Sequence, residues 1–219
     1  MNELIDDTET WSRYPNHQTW HNKLWLSQQL DYKCGPAGVT VPEKGHYIVR
    51  PIYNLLGMGL EAKFMFLEPS YKINQIPPGH FWCEKFEGDH YSADFEWAYH
   101  RDGSWKWKQI NCWRGYNKPF LWRFTKWEKC DIIIDVPWFF YRLGWNWDMR
   151  YINVETIDDK IIEVHLRRSP DPYEDYTVLI PIWKDDNKEK YINKGYEYIE
   201  SYDDADGQLP IPRLGFCVK

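Results

Sequence analysis

The stretch NVETIDDKIIEVHLRR, residues 153–168, sets two carboxylates, an imidazole and a guanidinium among apolar residues in near alternation. Alternation puts every second side chain on one face of a strand, and Asp158-Asp159 supplies a turn between two such runs. The spacing predicts strands over 150–157 and 160–166, with Glu163, His165 and Arg167 on one face and Glu155 facing the same way on the strand before. Two carboxylates on neighbouring strands suit Mg²⁺, which takes oxygen ligands. His165 suits Mn²⁺ better, or proton transfer. A solvated face of mixed charge is the plain alternative for the same pattern.

A hairpin needs a sheet behind it, and the rest of the chain offers one. Residues 17–30 (HQTWHNKLWLSQQL) place Trp20, Leu24 and Leu30 at helical spacing, and Cys34-Gly-Pro-Ala-Gly38 reads as the loop that ends the helix. Strands are expected at 46–52, 60–67, 81–85, 91–99 and 105–111, with Pro77-Pro78-Gly79 and Arg101-Asp102-Gly103 as turns. Between the first two strands lies Gly57-Met58-Gly59, whose glycines allow backbone conformations that other residues resist. Pro137 opens a short helix over 137–143. After the hairpin come a strand at 177–183, a helix over 187–201, an acidic turn at 203–207 and a last strand at 214–219. Asp171, Asp175 and Asp203 to Asp206 read as solvated loop residues, and Asp94 as a structural partner for a cation.

The predicted class is α+β with mostly antiparallel sheets. A chain of 219 residues, 43% hydrophobic, is long enough for a sizeable core. Aromatic residues make up 18% of it, and nine of the 14 Trp fall between Trp97 and Trp147, so that segment is expected to present a special surface or fill the interior with rings. A net charge of −6 argues against broad nucleic-acid binding by a basic face. The five cysteines are odd in number and lack a CxxC pair, which predicts reduced thiols rather than a disulfide framework or zinc site. The polar, acidic start MNELIDDTETWSRYPN has no secretory pattern, and no apolar run approaches the roughly 20 residues that span a bilayer. The expectation is a cytoplasmic protein without membrane contact.

Four stretches read in order carry a resemblance: Asn22-Lys23, Arg50-Pro51 before Gly57-Met58-Gly59, Glu84-Lys85-Phe86-Glu87-Gly88, and Glu163-Val164-His165-Leu166-Arg167. The succession resembles the ATP-grasp superfamily, whose members hold ATP between two α+β subdomains and often join a carboxylate to an amine through an acyl-phosphate. The resemblance implies two parts, residues 1–82 with the helix and glycine loop and residues 83–219 with the hinge and metal hairpin. It implies ATP held by Lys23 and Arg50 at the phosphates, by the flap Gly57, Met58 and Gly59, and by the hinge residues Glu84, Lys85, Phe86 and Glu87. His90 stands where the family usually has a ribose-binding Glu, Arg50 where it usually has Lys, and His165 where it usually has Asn.

Adenine needs one donor and one acceptor from a strand edge and an apolar slot, for which Phe81, Trp82 and Phe86 are the candidates. Phosphates need fixed positive charge and close N–H donors. The resemblance assigns Mg²⁺, or Mn²⁺, to Glu163 and His165 with Asn153 or Glu155 from the preceding strand, and assigns the acyl-phosphate to Arg50 and Arg167. It implies a carboxylate-bearing substrate. The family commonly carries a further amino-terminal domain, and here only a short stretch precedes Asn22. The second-substrate site is therefore expected from the Trp-rich segment and the carboxyl-terminal residues, or from a partner protein. Two functions are open: an ATP-dependent ligase, or a nucleotide-binding or aromatic-rich ligand-binding module that has lost the chemistry.

Overall fold

The computed structural model describes residues 5–69, 76–117, 121–145, 149–173 and 176–219. Asp175 and Trp147 lie outside them. The first helix, α1 (Asp7–Arg13), is capped by Asp6, whose side chain accepts the Glu9 N–H at 2.7 Å. A 3-10 helix (Pro15–His21) comes next, and then α2 (Lys23–Gln29). The single helix predicted over 17–30 is thus two. Asn22 takes an extended conformation between them, and its side chain accepts the Trp25 N–H at 2.8 Å, an N-cap that starts a new helix with Lys23 in its first turn.

Four strands form the smaller sheet: β1 (Cys34–Pro36), β2 (Gly45–Pro51), β3 (Lys63–Leu67) and β4 (His80–Glu84), in the order β1-β4-β2-β3. The loop expected at 34–38 contains β1, because Cys34 to Pro36 pair with Cys83 to Phe81 along the edge of β4. The strand expected from Leu60 starts only at Lys63, since Gly59 and Glu61 hold positive φ values of 59° and 60° that break the extended run. One face of this sheet buries Tyr47, Val49, Leu67 and Trp82 under Val41 and Ile76. The other carries Ile48, Arg50, Phe64 and Cys83 toward a cavity.

The larger sheet holds β5 (His90–Tyr99), β6 (Trp105–Gln109), β7 (Trp113–Tyr116), β8 (Lys126–Lys129), β9 (Tyr151–Ile157), β10 (Lys160–His165), β11 (Val178–Trp183), β12 (Glu197–Asp203) and β13 (Arg213–Val218). Its order is β10-β9-β5-β7-β8-β11-β13-β12, with β6 pairing β5 as a hairpin, and every pairing between described strands is antiparallel. The fold is α+β with mostly antiparallel sheets. Trp20 and Leu26 from the amino-terminal helices pack on Phe95, Ile152, Val154 and Val164, together with Leu143 of α3 (Tyr141–Trp145).

The Trp-rich segment divides. Trp97, Trp107, Trp113 and Trp127 are buried and fill the interior, while Trp105, Trp138 and Trp145 are exposed. The helix expected over 187–201 shrinks to α4 (Glu189–Ile192). Gly195 turns the chain with φ +82°, and Glu197 to Asp203 then form β12 against β13. Among the described residues no helix is long and apolar enough to cross a membrane.

Candidate functional site

Residues 153–168 form the expected hairpin, and its register explains the clustered charge. Glu163 stands directly opposite Glu155, and His165 opposite Asn153. Like charges facing each other across a ladder destabilise it, so this pair persists only with compensation. The Lys23 ammonium hydrogen-bonds Glu163. His90 Nε2 lies 3.0 Å from Glu155 Oε2, and His165 Nε2 lies 3.6 Å from Glu155 Oε1 and 3.9 Å from Glu163 Oε1. A bulge between Ile161 and Glu163 leaves Ile162 out of the pairing, and its free carbonyl accepts a hydrogen bond from Arg50 Nη2 at 3.0 Å. Arg50 is thereby fixed between the two sheets, over the Phe81 ring at 5.3 Å, with its Nε buried and without a hydrogen-bond partner among the described residues.

Behind the hairpin sits Asp7, the first residue of α1 and 2% exposed. Its Oδ2 is 2.6 Å from His165 Nδ1 and accepts from Arg167 Nη2 at 3.0 Å, while Arg167 Nε lies 2.9 Å from Oδ1. Burial raises the Asp7 carboxyl, but the His165 and Arg167 charges outweigh it and hold the group far below the ordinary carboxylate range. Burial lowers His165, and Asp7 and Glu163 overcome that, pushing the imidazole up to about 10. Glu155 is held well below its ordinary value: burial acts upward, and hydrogen bonds from His165 and His90 act downward more strongly. Asp7 is the site residue that the sequence pattern did not reveal. It stands 158 positions from His165, in an acidic terminus with no periodic signal.

The ligand-capable atoms of Glu155, Glu163 and His165 lie within 4.8 Å of one another. This set fits a divalent cation. In the neutral imidazole, an Nδ1–H donated to Asp7 leaves the Nε2 lone pair toward the two carboxylates, the usual carboxylate-to-histidine support of a metal ligand. Two carboxylates and an imidazole suit Mn²⁺ at least as well as Mg²⁺. Asn153 stands apart from this trio: its amide nitrogen donates to Ser92 Oγ and to Asp94 Oδ1, both at 2.9 Å, and so serves the sheet.

These groups open on one cavity of about 250 Å³ between the two sheets, which Lys23, Arg50, Glu155, Glu163, His165 and Arg167 all line. Ile48, Phe64, Phe86, Ile157 and Ile162 form an apolar part of its wall. Phe86 is braced edge-on by Tyr32 at 4.7 Å. Of the three rings expected to wall a slot, Trp82 does not. Strand alternation turns it to the opposite face of the sheet, where its Nε1 donates to the Val39 carbonyl at 2.8 Å. Phe81 is buried beneath Arg50. In the connection from β4 to β5, Glu84 Oε1 accepts the Lys33 N–H at 2.8 Å, and the Lys85 ammonium pairs with Glu87 at the surface. None of these three residues lines the cavity, whereas His90 is part of its wall.

Gly57, Met58 and Gly59 line the cavity with φ values of 67°, 57° and 59°, a left-handed run that Asn54 steadies by donating to the Gly57 carbonyl at 2.8 Å. Met58 packs against the cluster formed by Trp183 of β11, Ala205 and Leu209, so this loop reaches across from one sheet to the other. Asp171, Asp203 and Arg213 line the same cavity. Asp171 is not the solvated loop residue expected. It is part of the wall, and burial first of all raises its carboxyl.

No family model matches the sequence, and no curated protein matches it. Solved structures do. A protein assigned to the ATP-grasp superfamily from Archaeoglobus fulgidus is 16% identical, with a TM-score of 0.40 over 70% of this chain and 47% of that one. An L-amino acid ligase from Bacillus licheniformis is 9% identical, with a TM-score of 0.44 over 68% of this chain and 41% of that one. A carboxyaminoimidazole ribonucleotide synthase from Aspergillus clavatus, in complex with ATP, is 8% identical, with a TM-score of 0.49 over 89% of this chain and 69% of that one. The chain spans less than half the length of the first two.

Proposed function

We propose that the cavity binds ATP with a divalent cation, Mg²⁺ or Mn²⁺, and uses it to activate a carboxylate for attack by an amine or similar nucleophile. One observation supports this most directly: three cations from three elements, Lys23, Arg50 and Arg167, converge with Glu155, Glu163 and His165 on a single cavity that also has an apolar wall. Polyphosphate needs the cations, a metal needs the carboxylates, and a base needs the apolar slot. The ordered sequence motifs give the nucleotide its name.

In this reading residues 1–82 and 83–219 act as two subdomains joined at the 84–88 connection, whose backbone offers the donor and acceptor for adenine beside Phe86. Lys23 and Arg50 hold phosphates, and Arg50 brings an unpaired Nε–H to the task. Gly57, Met58 and Gly59 cover them. Arg167 steadies the charge of the acyl-phosphate, and Asp7 keeps His165 and Arg167 in place. A cation held by Glu155, Glu163 and His165 supplies charge that neutralises the phosphates. Catalysis is then positioning and charge neutralisation, with no protein nucleophile.

The test is the thermal midpoint with and without millimolar ATP and Mg²⁺ or Mn²⁺, since a ligand of the folded state raises it by mass action. No rise with either metal sinks the proposal. A rise without ADP release across a panel of carboxylates and amines leaves the second reading, a nucleotide-binding module.

A further inference from the structure

We infer that Cys34 and Cys83 are a redox pair: a low-molecular-weight disulfide such as oxidised glutathione converts them to a cross-strand disulfide that staples β1 to β4 beside the cavity. Both are free thiols, and in the β1–β4 register Cys34 stands directly opposite Cys83. Antiparallel partners alternate between pairs that exchange backbone hydrogen bonds and pairs that do not, and the second kind brings side chains closer. Glu84 N–H donates to the Lys33 carbonyl at 2.8 Å, and Ala37 N–H to the His80 carbonyl at 3.0 Å. Lys33 with Glu84, and Ala37 with His80, are therefore bonded pairs, and one step inward from the first sets Cys34 and Cys83 in a non-bonded pair. Cα atoms of such a pair stand about 4.5 Å apart, within the roughly 4.4–6.8 Å that a disulfide spans. Closing the bond asks for side-chain rotation and little movement of the backbone.

Exposure divides the roles. Cys34 is half-buried, whereas Cys83 is 1% exposed, so a small disulfide reaches Cys34 first. The Cys34 thiolate attacks one of its sulfurs, a mixed disulfide forms and one small thiolate leaves. The Cys83 thiolate then attacks the Cys34 sulfur, the bond between the two cysteines forms and the second small thiolate leaves. The two protein protons end on the two small thiols, so two protein thiols are oxidised and one disulfide is reduced. Burial raises both cysteines, Cys83 up to about 12, against the charge of Arg50 nearby. The exchange is therefore slow. A thiol with so high a value is also a poor leaving group, so the closed bond resists reduction.

The staple sits where the cavity is built. Cys83 lines it beside Ile48, its partner on β2, and β1 follows α2, whose first residue is Lys23. The other cysteines differ. Cys112 and Cys130 also meet across strands, but there Cys130 N–H donates to the Cys112 carbonyl at 2.9 Å, the bonded kind of pair, and neither lines the cavity. Cys217 faces Ile180 on one side and Tyr198 on the other.

The experiment incubates the folded full chain with oxidised glutathione, then quenches it in acid, denatures it and alkylates it. Free thiols are expected to fall by at least two from five, and peptide mapping to find Cys34 joined to Cys83. The thermal midpoint should rise by roughly 5 °C or more, since the bond closes a long loop, and dithiothreitol should reverse the rise. Cys34→Ser, at a half-buried position, should remove the link and lower the rise. Five titratable thiols after prolonged exposure overturn the inference. So do a lasting glutathione adduct on Cys34, a map that joins Cys112 to Cys130 alone, or an undiminished rise in a folded C34S protein.

Discussion

Asp7 Oδ2 lies 2.6 Å from His165 Nδ1, which ties the first helix of the chain to β10, the edge strand of the charged hairpin. The same carboxylate serves Arg167, so one buried anion pairs with two cations. Removing one partner from a buried pair leaves an uncompensated charge and costs roughly 3–5 kcal/mol. Asp7→Asn should therefore lower stability by about 3 kcal/mol, measured as a shift in the urea midpoint at unchanged slope. Losing the carboxylate that orients a metal-binding imidazole typically costs about 10–100-fold in metal affinity, and a Mn²⁺ titration of the folded variant should show that drop. A variant as stable and as metal-avid as the wild type would remove Asp7 from the site.

The proton on His165 gives this network a pH signature. Its value in the folded chain is pushed up to about 10 from 6.5, by Asp7 and Glu163 acting against burial. A group raised on folding stabilises fully below its unfolded value, and that stability is lost as pH rises toward the folded one. In metal-free buffer with a chelator, stability should fall between about pH 6.5 and 10. A divalent cation at the trio requires neutral imidazole, so metal affinity should rise over the same window. Flat profiles of both quantities would contradict the assignment of Nε2 to the metal.

Much of this site was legible because its pattern is local. The alternation in residues 160–167 fixes which side chains share a face, and the structure places Glu163 and His165 on one side of β10 as that period demands. Lys23 and Arg50 were readable as cations near a glycine loop, but the group that fixes Arg50, the Ile162 carbonyl freed by a bulge, depends on pairing register and leaves no mark in sequence. Asp7, Asp171, Asp203 and Arg213 were hidden for a related reason: their partners come from distant segments. The error at 187–201 is instructive too. Tyr191, Ile192, Tyr196 and Ile199 have helical spacing, but Gly195 breaks the run and the free edge of β13 captures residues 197–203 as a strand.

The connection expected to bind adenine is pinned by the turn of the same hairpin. Asp158 Oδ1 accepts the Asp89 N–H at 2.8 Å, and Asp158 N–H donates to the Asp89 carbonyl at 2.7 Å. Gly88 sits against this contact with φ +138°, and a Cβ there would meet Asp158 Oδ2 at 2.2 Å. Gly88→Ala should cost about 1–3 kcal/mol through backbone strain alone and should displace the Asp158 side chain. Denaturant unfolding reads the loss; Asp158→Ala in the same background should recover part of it by clearing the space. No destabilisation in Gly88→Ala would mean that the connection is free to move.

Lys23 and Arg50 are separable by experiment. The Lys23 ammonium already neutralises Glu163, whereas Arg50 has an unpartnered Nε–H. Lys23→Met should weaken ATP binding at least tenfold, about 1.4 kcal/mol. It should also weaken folding, since Glu163 then faces Glu155 without its counter-charge. Arg50→Lys keeps the charge but loses the fork, so its effect should fall on ATP while the metal titration stays close to wild type. Equal ATP affinity in all three proteins, by calorimetry, would take both cations out of the phosphate site.

Phe86 tests which part of a nucleotide the apolar wall receives. Its ring lines the cavity beside Ile48, Ile157 and Ile162, and it carries none of the charge that would attract phosphate. Burying or stacking a base against such a ring is worth about 1–3 kcal/mol, so Phe86→Ala should weaken ATP binding by about ten- to a hundredfold. Inorganic tripolyphosphate offers the same charge without a base, and its affinity should be unchanged by the substitution. Tyr32 braces Phe86 edge-on at 4.7 Å, so Tyr32→Leu should show a smaller version of the same split. If ATP and tripolyphosphate lose affinity equally in Phe86→Ala, the ring supports the cleft as a whole and the base lies elsewhere.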